Sequence, residues 1–165
     1  GTIEAMFQDS VLKLKQLNKY RFRPMQYKET TKIGTWYITP FETKHDVAEP
    51  CGFLIDNITG ERLVFITDSY YVKYQFPRVT HMMVEANYSE EIIEKKLGNE
   101  RFNKRLKTRV KGSHFDLANT IEFIKINRSP LLQEIHLIHL SDSNSNAKEF
   151  KNEVQKISGV PVYIA

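Results

Sequence analysis

Four side chains suited to metal or acid–base chemistry, His45, Asp68, His114 and His139, are spread along a chain of 165 residues, each in a predicted loop or at the end of a predicted strand. Loops and strand ends on a rigid scaffold are where sites are built. Asp68 follows the apolar run Leu63-Val64-Phe65-Ile66-Thr67, so that strand delivers a carboxylate at the sheet's edge, where an oxygen ligand could bridge two cations. His139 closes the run Glu134-Ile135-His136-Leu137-Ile138 and precedes the turn-rich Ser141-Asp142-Ser143-Asn144. His45 lies in the irregular stretch Lys44-His45-Asp46-Val47-Ala48-Glu49-Pro50. His114 stands in Gly112-Ser113-His114-Phe115-Asp116 ahead of a predicted helix, where an imidazole can bind or protonate an anionic group. Taken singly, each has a plainer reading: aspartate is a common turn former after a strand, and a loop histidine is more often packed or surface-exposed than catalytic.

Charge adds a direction. The stretch from Arg101 to Lys111 holds Arg101, Lys104, Arg105, Lys107, Arg109 and Lys111 with no acidic residue, just before His114. Lys107, Arg109 and Lys111 are placed to neutralise phosphates and draw a nucleotide or nucleic acid towards the site, although such a run also reads as a solvated helix face. The net charge of +4 and pI near 9.1 decide little by themselves. The single cysteine, Cys51, excludes an intramolecular disulfide and, among apolar neighbours, reads as a small buried hydrophobe rather than a nucleophile.

The elements that must position these groups alternate between two periods. Ile3, Phe7, Val11, Leu14 and Leu17 recur at helical spacing over Thr2 to Lys19. Gly34 to Phe41 alternates as a strand, and Gly52 to Asp56 with Arg62 to Thr67 forms a hairpin around Asn57 and Gly60. His81 to Ala86 reads as a compact buried strand, followed by a charged helix from Ser89 and a second near Asn99 to Lys107. Asp116 is a predicted cap for a helix carrying Leu117, Ile121 and Ile124. Glu134 to His139 is a strand, Ser145 a predicted cap for a helix carrying Phe150, Val154 and Ile157, and Pro161 to Ile164 a last strand. Side chains alternate across a strand, so His136 and His139 face opposite ways, with His136 at an edge or surface. A strand meander followed by alternating helices and strands predicts one layered α/β domain over residues 1–165. No apolar run approaches the ~20 residues of a membrane-spanning helix, and the N-terminus lacks signal-peptide character, so a cytoplasmic protein is expected.

In order, His45-Asp46-Val47-Ala48-Glu49-Pro50, Ile66-Thr67-Asp68, Met82-Met83-Val84-Glu85-Ala86-Asn87, Gly112-Ser113-His114-Phe115, Ile138-His139-Leu140-Ser141 and Val160-Pro161-Val162-Tyr163-Ile164-Ala165 resemble the metallo-β-lactamase superfamily. The resemblance is nearest to the branch of YycJ/WalJ-type exonucleases and tRNase Z-like phosphodiesterases. It implies an αββα sandwich, here incomplete at the N-terminus, because the superfamily's His-x-His-x-Asp-His motif is absent from this sequence. It also implies two divalent metal ions, zinc or manganese, with His45 and His139 each ligating one and Asp68 bridging them. A histidine placed like His114 would contact the scissile phosphate or assist the leaving group, and Glu85 and Asn87 would support the site.

The expected function is hydrolysis of a phosphodiester bond in DNA, RNA or a cyclic nucleotide by metal-activated water, with part of the metal site lacking. The chain is then a fragment or a reduced protein. The alternatives are a nucleotide or nucleic-acid binding module without turnover, and an assembly protein whose open sandwich is covered by a second copy or a complementing N-terminal segment.

Overall fold

The computed structural model describes residues 24–97 and 112–165. The expected helix over Thr2 to Lys19, the helix near Asn99 to Lys107, and with it Lys107, Arg109 and Lys111, lie outside the described residues.

The described chain forms a seven-stranded mixed sheet in sequential order, with β1 at Thr31–Ile33, β2 at Trp36–Glu42, β3 at Cys51–Asn57, β4 at Arg62–Ile66, β5 at His81–Glu85, β6 at Glu134–Ile138 and β7 at Val162–Ile164. The first four strands are antiparallel neighbours, as short connections permit, and β4 through β7 run parallel. Helix α1 (Glu90–Leu97) and helix α2 (Leu117–Asn127) lie in the connection from β5 to β6, and α3 (Ala147–Ser158) joins β6 to β7. Because each parallel step moves one strand in the same direction, right-handed crossovers put α2 and α3 on the same face of the sheet, where they pack side by side.

That face holds the core. Register aligns Val64, Met82, Ile135 and Val162 in one row and Ile66, Val84 and Leu137 in the next. All are buried, and Phe123 and Ile124 of α2 with Phe150 and Val154 of α3 close over them. Each such side chain contributes about 1.5–3 kcal/mol by leaving water. The opposite face carries Phe53, Phe65 and Met83 in register, each only partly buried.

Local chemistry sets the helix ends. Asp116 caps α2 as its sequence predicts, its carboxylate accepting the Asn119 N–H at 2.7 Å. At α3 the cap is Asn146 rather than Ser145: Asn146 Oδ1 accepts from Glu149 N, whereas the Ser145 hydroxyl donates to Ser141 O at 2.7 Å. Gly159 ends α3 in the left-handed conformation, φ 73°, that glycine adopts without a Cβ clash. One strand has no counterpart among the expectations, and one expectation needs correction. Strand β1, three residues joined to β2 through Gly34 and Thr35, is too short to show a period in sequence. His136 is on an internal strand, half-buried, hydrogen-bonded to Glu134 and stacked on Tyr163 of the edge strand β7.

Candidate metal centre

The parallel strands β4, β5 and β6 end at the same rim of the sheet, and each end carries a polar group. Asp68 follows β4, Glu85 is the last residue of β5, and His139 follows β6. Strand β2, which runs in the same direction as β4, leads at this rim into the loop with His45, and the turn before α2 supplies His114. Parallel α/β sheets place their sites in the crevice beyond the carboxyl ends of the strands, and these residues occupy that position.

The groups converge. Ligand atoms of Asp68, Glu85, His114 and His139 all lie within 4.8 Å of one another. His139 Nδ1 is 3.4 Å from Asp68 Oδ1 and 3.0 Å from Glu85 Oε1, and His114 Nδ1 is 2.6 Å from the same Glu85 oxygen. His45 stands one step further out, its Nε2 4.0 Å from Asp68 Oδ1 and its ring 5.5 Å from that of His114. His114 is thus the middle of three neighbouring imidazoles, its ring 5.1 Å from His139 on the other side.

Asp68 and His139 share a second feature. Both have positive φ, 51° and 56°, which only two other described non-glycine residues, Lys28 and Arg78, also show. A side chain in that region costs on the order of 1–3 kcal/mol and persists where the surroundings impose it. The strain turns the chain sharply just after β4 and β6, aiming both side chains at one point. Asn87 holds the second turn, donating from Nδ2 to His139 O at 2.8 Å, while its N–H donates to Phe115 O and its carbonyl accepts from Ser141 N. Asn87 therefore ties the His114 loop to the His139 loop.

Electrostatically the cluster is short of positive charge. Glu85 has no exposed surface. Its Oε2 accepts the Ser69 N–H at 3.0 Å, yet burial, followed by the nearby Asp68 carboxylate, pushes its pKa up to about 8. His114 is shifted the other way, below the ordinary imidazole value, by burial first and by His139 second. A buried carboxyl group and an exposed carboxylate facing three imidazoles, of which His114 resists protonation, form an environment that suits a divalent cation. Mixed carboxylate and imidazole donors suit zinc, manganese or iron. Buried His45 Nδ1 fits the same picture: Asp46 Oδ1 lies 2.8 Å away in an ion-pair contact outside hydrogen-bonding geometry, which leaves Nε2 towards Asp68. The donor set fits the group.

No family model matches the chain, and no curated protein matches it by sequence. Among solved structures, the protein YhfI from Bacillus subtilis, described as a metallo-β-lactamase fold protein, superposes with a TM-score of 0.59 at 16% identity, covering 86% of this chain and 51% of its own. The fold is that of the metallo-β-lactamases. A diphosphatase of the PhnP family superposes with a TM-score of 0.56 at 12% identity over 95% of this chain and 53% of its own. CmlA, a diiron β-hydroxylase from Streptomyces venezuelae, gives 0.54 at 12% identity over 87% of this chain and 33% of its own. This chain therefore spans about half the length, or less, of these metallo-β-lactamase-fold structures. The same fold carries a diphosphatase and an oxidative enzyme, so chemistry has to be argued from the site.

The sequence puts His45, Asp68, His114 and His139 at loops and strand ends, and the fold brings them together with Glu85 and Asn87. Glu85, expected beside the site, has a carboxylate oxygen inside the cluster. Three contributors gave no local signal: Ser69, whose N–H meets Glu85; Thr67, whose hydroxyl lies 3.3 Å from His139 Nδ1; and Thr120, whose hydroxyl donates to Glu85 O at 2.7 Å. Hydroxyl residues beside strand ends are ordinary in sequence, and only the register exposes these roles. Cys51 is partly buried at the start of β3, and burial raises its thiol pKa, which keeps it protonated and unreactive.

Proposed function

We propose that this chain contributes to a metal-dependent hydrolase of phosphodiester bonds, with a nucleotide or nucleic acid as substrate. The observation that carries the reading is the convergence of Asp68, Glu85, His114 and His139 within 4.8 Å at the carboxyl ends of parallel strands. In this reading Asp68, His45 and His139 would hold two divalent cations, zinc or manganese, with Asp68 shared between them. Such cations activate water at neutral pH and polarise phosphoryl oxygens.

The chain's own groups do the rest. Glu85 orients His114 through its Nδ1 and lies 3.0 Å from Nδ1 of His139, which also meets the Thr67 hydroxyl. His114 stands between the other two imidazoles with its pKa lowered, and donates a hydrogen bond or proton where negative charge grows on the leaving oxygen. Asn87 fixes the loops that carry His114 and His139. Lys107, Arg109 and Lys111, close in sequence to His114, neutralise substrate phosphates. The half-buried face of Phe53, Phe65 and Met83 is covered by a complementing N-terminal segment or a second copy, which supplies the remaining ligands.

A second reading is supported by one fact: the sequence contains no His-x-His-x-Asp-His motif. It makes the chain a nucleotide or nucleic-acid binding module that keeps the fold without turnover. Metal analysis after reloading with zinc or manganese, alongside hydrolysis of a chromogenic phosphodiester, separates the two. The hydrolase requires stoichiometric metal that is lost in Asp68→Ala, with turnover abolished by chelator. Absence of specific metal, with chelator-insensitive nucleotide binding, favours the module.

A further inference from the structure

Beside the histidine and carboxylate cluster lies a groove of ≈ 190 Å³ that the proposed chemistry does not use. One wall is the extended segment of residues 70–75, and the other is the face of α2 bearing Asn119, Glu122 and Ile126, three and four residues apart and therefore side by side on the helix. Phe115 and Phe123, both buried, form its floor. The segment is anchored against sliding: Phe76 N–H donates to Asn127 Oδ1 at 2.7 Å, and Val72 and Phe76 are in the core.

The groove is lined by residues that neighbour the cluster in sequence. Tyr70 is two residues from Asp68, Phe115 is next to His114, and Tyr71 pairs with Lys44, the neighbour of His45. Its chemistry is specific. Tyr70 and Tyr71 line it and are exposed at 38% and 54%, so their ring surfaces are open to a ligand. The Asn119 and Gln75 amides make no hydrogen bond with another described residue, and the Glu122 carboxylate is exposed on the same wall. Lys73 is occupied by Glu42 at 2.8 Å, so the groove offers no free cation among its described lining residues and is a poor place for phosphate. Its volume is below the ~300–1,000 Å³ of sites that enclose a drug-sized molecule, which leaves space for one planar ring system.

Aromatic faces, two amides and one carboxylate around a space for one ring match a nucleobase bearing an exocyclic amino group. Tyr71 stacks on it, Asn119 and Gln75 supply both donors and acceptors, and Glu122 accepts from the amino group. We infer that the groove between residues 70–75 and α2 is a base subsite, binding the amino-bearing base of a nucleotide whose phosphate lies at the Asp68 cluster. The inference rests on the phosphodiesterase reading for the position of the phosphate. The base subsite itself stands on the groove.

Titration calorimetry of the full chain tests this with cytidine, adenosine and uridine, their 5′-monophosphates, and inorganic phosphate, before and after manganese loading. Cytidine and adenosine are expected to bind without metal and to weaken about tenfold in Tyr71→Ala, the loss of one stacked ring. Glu122→Gln is expected to remove their advantage over uridine. Ile126→Arg, at another exposed position, is expected to block the groove, and thermal melts of each variant confirm folding. Manganese is expected to tighten monophosphates but not nucleosides, and Asp68→Ala to abolish that gain alone. A terminal nucleotide on a short single strand competing as well as the free monophosphate identifies a strand end as the source; failure to compete identifies a free nucleotide. Nucleosides that do not bind, or that bind Tyr71→Ala and Ile126→Arg as well as the parent, overturn the subsite even if phosphate and metal still bind. Nucleoside binding sensitive to Tyr71 without any gain from manganese leaves the groove standing and overturns its link to the cluster.

Discussion

Glu85 Oε1 lies 2.6 Å from Nδ1 of His114, and neither residue's neighbours in sequence foretell the contact. The carboxylate is fully buried at the end of β5, while the imidazole arrives from the turn before α2. One oxygen serves His114 and His139 together, so the state of Glu85 governs how both rings are held.

The stability of the metal-free protein should therefore depend on pH in two opposed ways. Glu85 has a folded pKa of about 8 against an ordinary 4.5, so the folded chain keeps a proton there that the unfolded chain releases. Its contribution is full below 4.5 and is lost as pH rises towards 8, on the order of a few kcal/mol. His114 is depressed below its ordinary 6.5, so its contribution is present above that value and is lost as pH falls. Thermal melts in chelator across this range should show stability falling on the alkaline side, and Glu85→Gln should remove that fall while keeping the acid one. An alkaline slope unchanged in Glu85→Gln would show that another group is responsible.

Asp68→Asn should cost function without costing stability. Asparagine tolerates the positive φ of 51° at this position, and removing the charge relieves the repulsion that helps to raise the Glu85 pKa. The metal-free variant is expected to melt at or above the parent temperature and to bind no stoichiometric zinc or manganese. A melt several degrees lower would assign Asp68 a structural role instead.

Asn87→Ala removes the donor that holds the His139 carbonyl while leaving every candidate ligand in place. Outer groups that orient ligands typically account for about 10–100-fold in metal affinity, and a loss of that size is expected here. Competition with a chromogenic chelator measures it; affinity equal to the parent's would remove Asn87 from the site.

Gly52→Ala tests the packing at the start of β3, just after the His45 loop. A Cβ at Gly52 would meet the Phe41 ring at 2.5 and 2.6 Å and the Phe65 carbonyl oxygen at 2.9 Å. Phe41 is buried against Tyr74 and Phe76, so the ring has little room to move. A loss of about 1–3 kcal/mol is expected in urea unfolding. An unchanged midpoint would mean that the ring shifts at no cost.

Much of the architecture is legible locally. The alternation of β2, the apolar runs of β3 to β6, the turn residues Asn57 and Gly60, and the Asp116 cap depend on groups a few positions apart, and the structure contains each of them. Where competing local options are nearly equal, the reading slips: Ser145 and Asn146 are both good caps, and the choice falls to Asn146 because the Ser145 hydroxyl is engaged by Ser141 O. The positions of His45, Asp68, His114 and His139 at loops and strand ends also follow from sequence, because such places are marked by where apolar runs stop.

Their convergence is another matter. Asp68 and His139 are 71 positions apart, and they meet because β4, β5 and β6 pair in parallel register and end together at one rim, with a left-handed turn after β4 and after β6. Alternation along β5 puts Glu85 on the face opposite Met82 and Val84, where the rest of the strand is only partly covered. Its complete burial comes from the Ser69 and His114 loops folding over the strand end. The types of group available were determined by the sequence alone; which oxygen meets which imidazole, and in how dry a place, was decided by tertiary packing, because desolvation and long-range contact have no local signature.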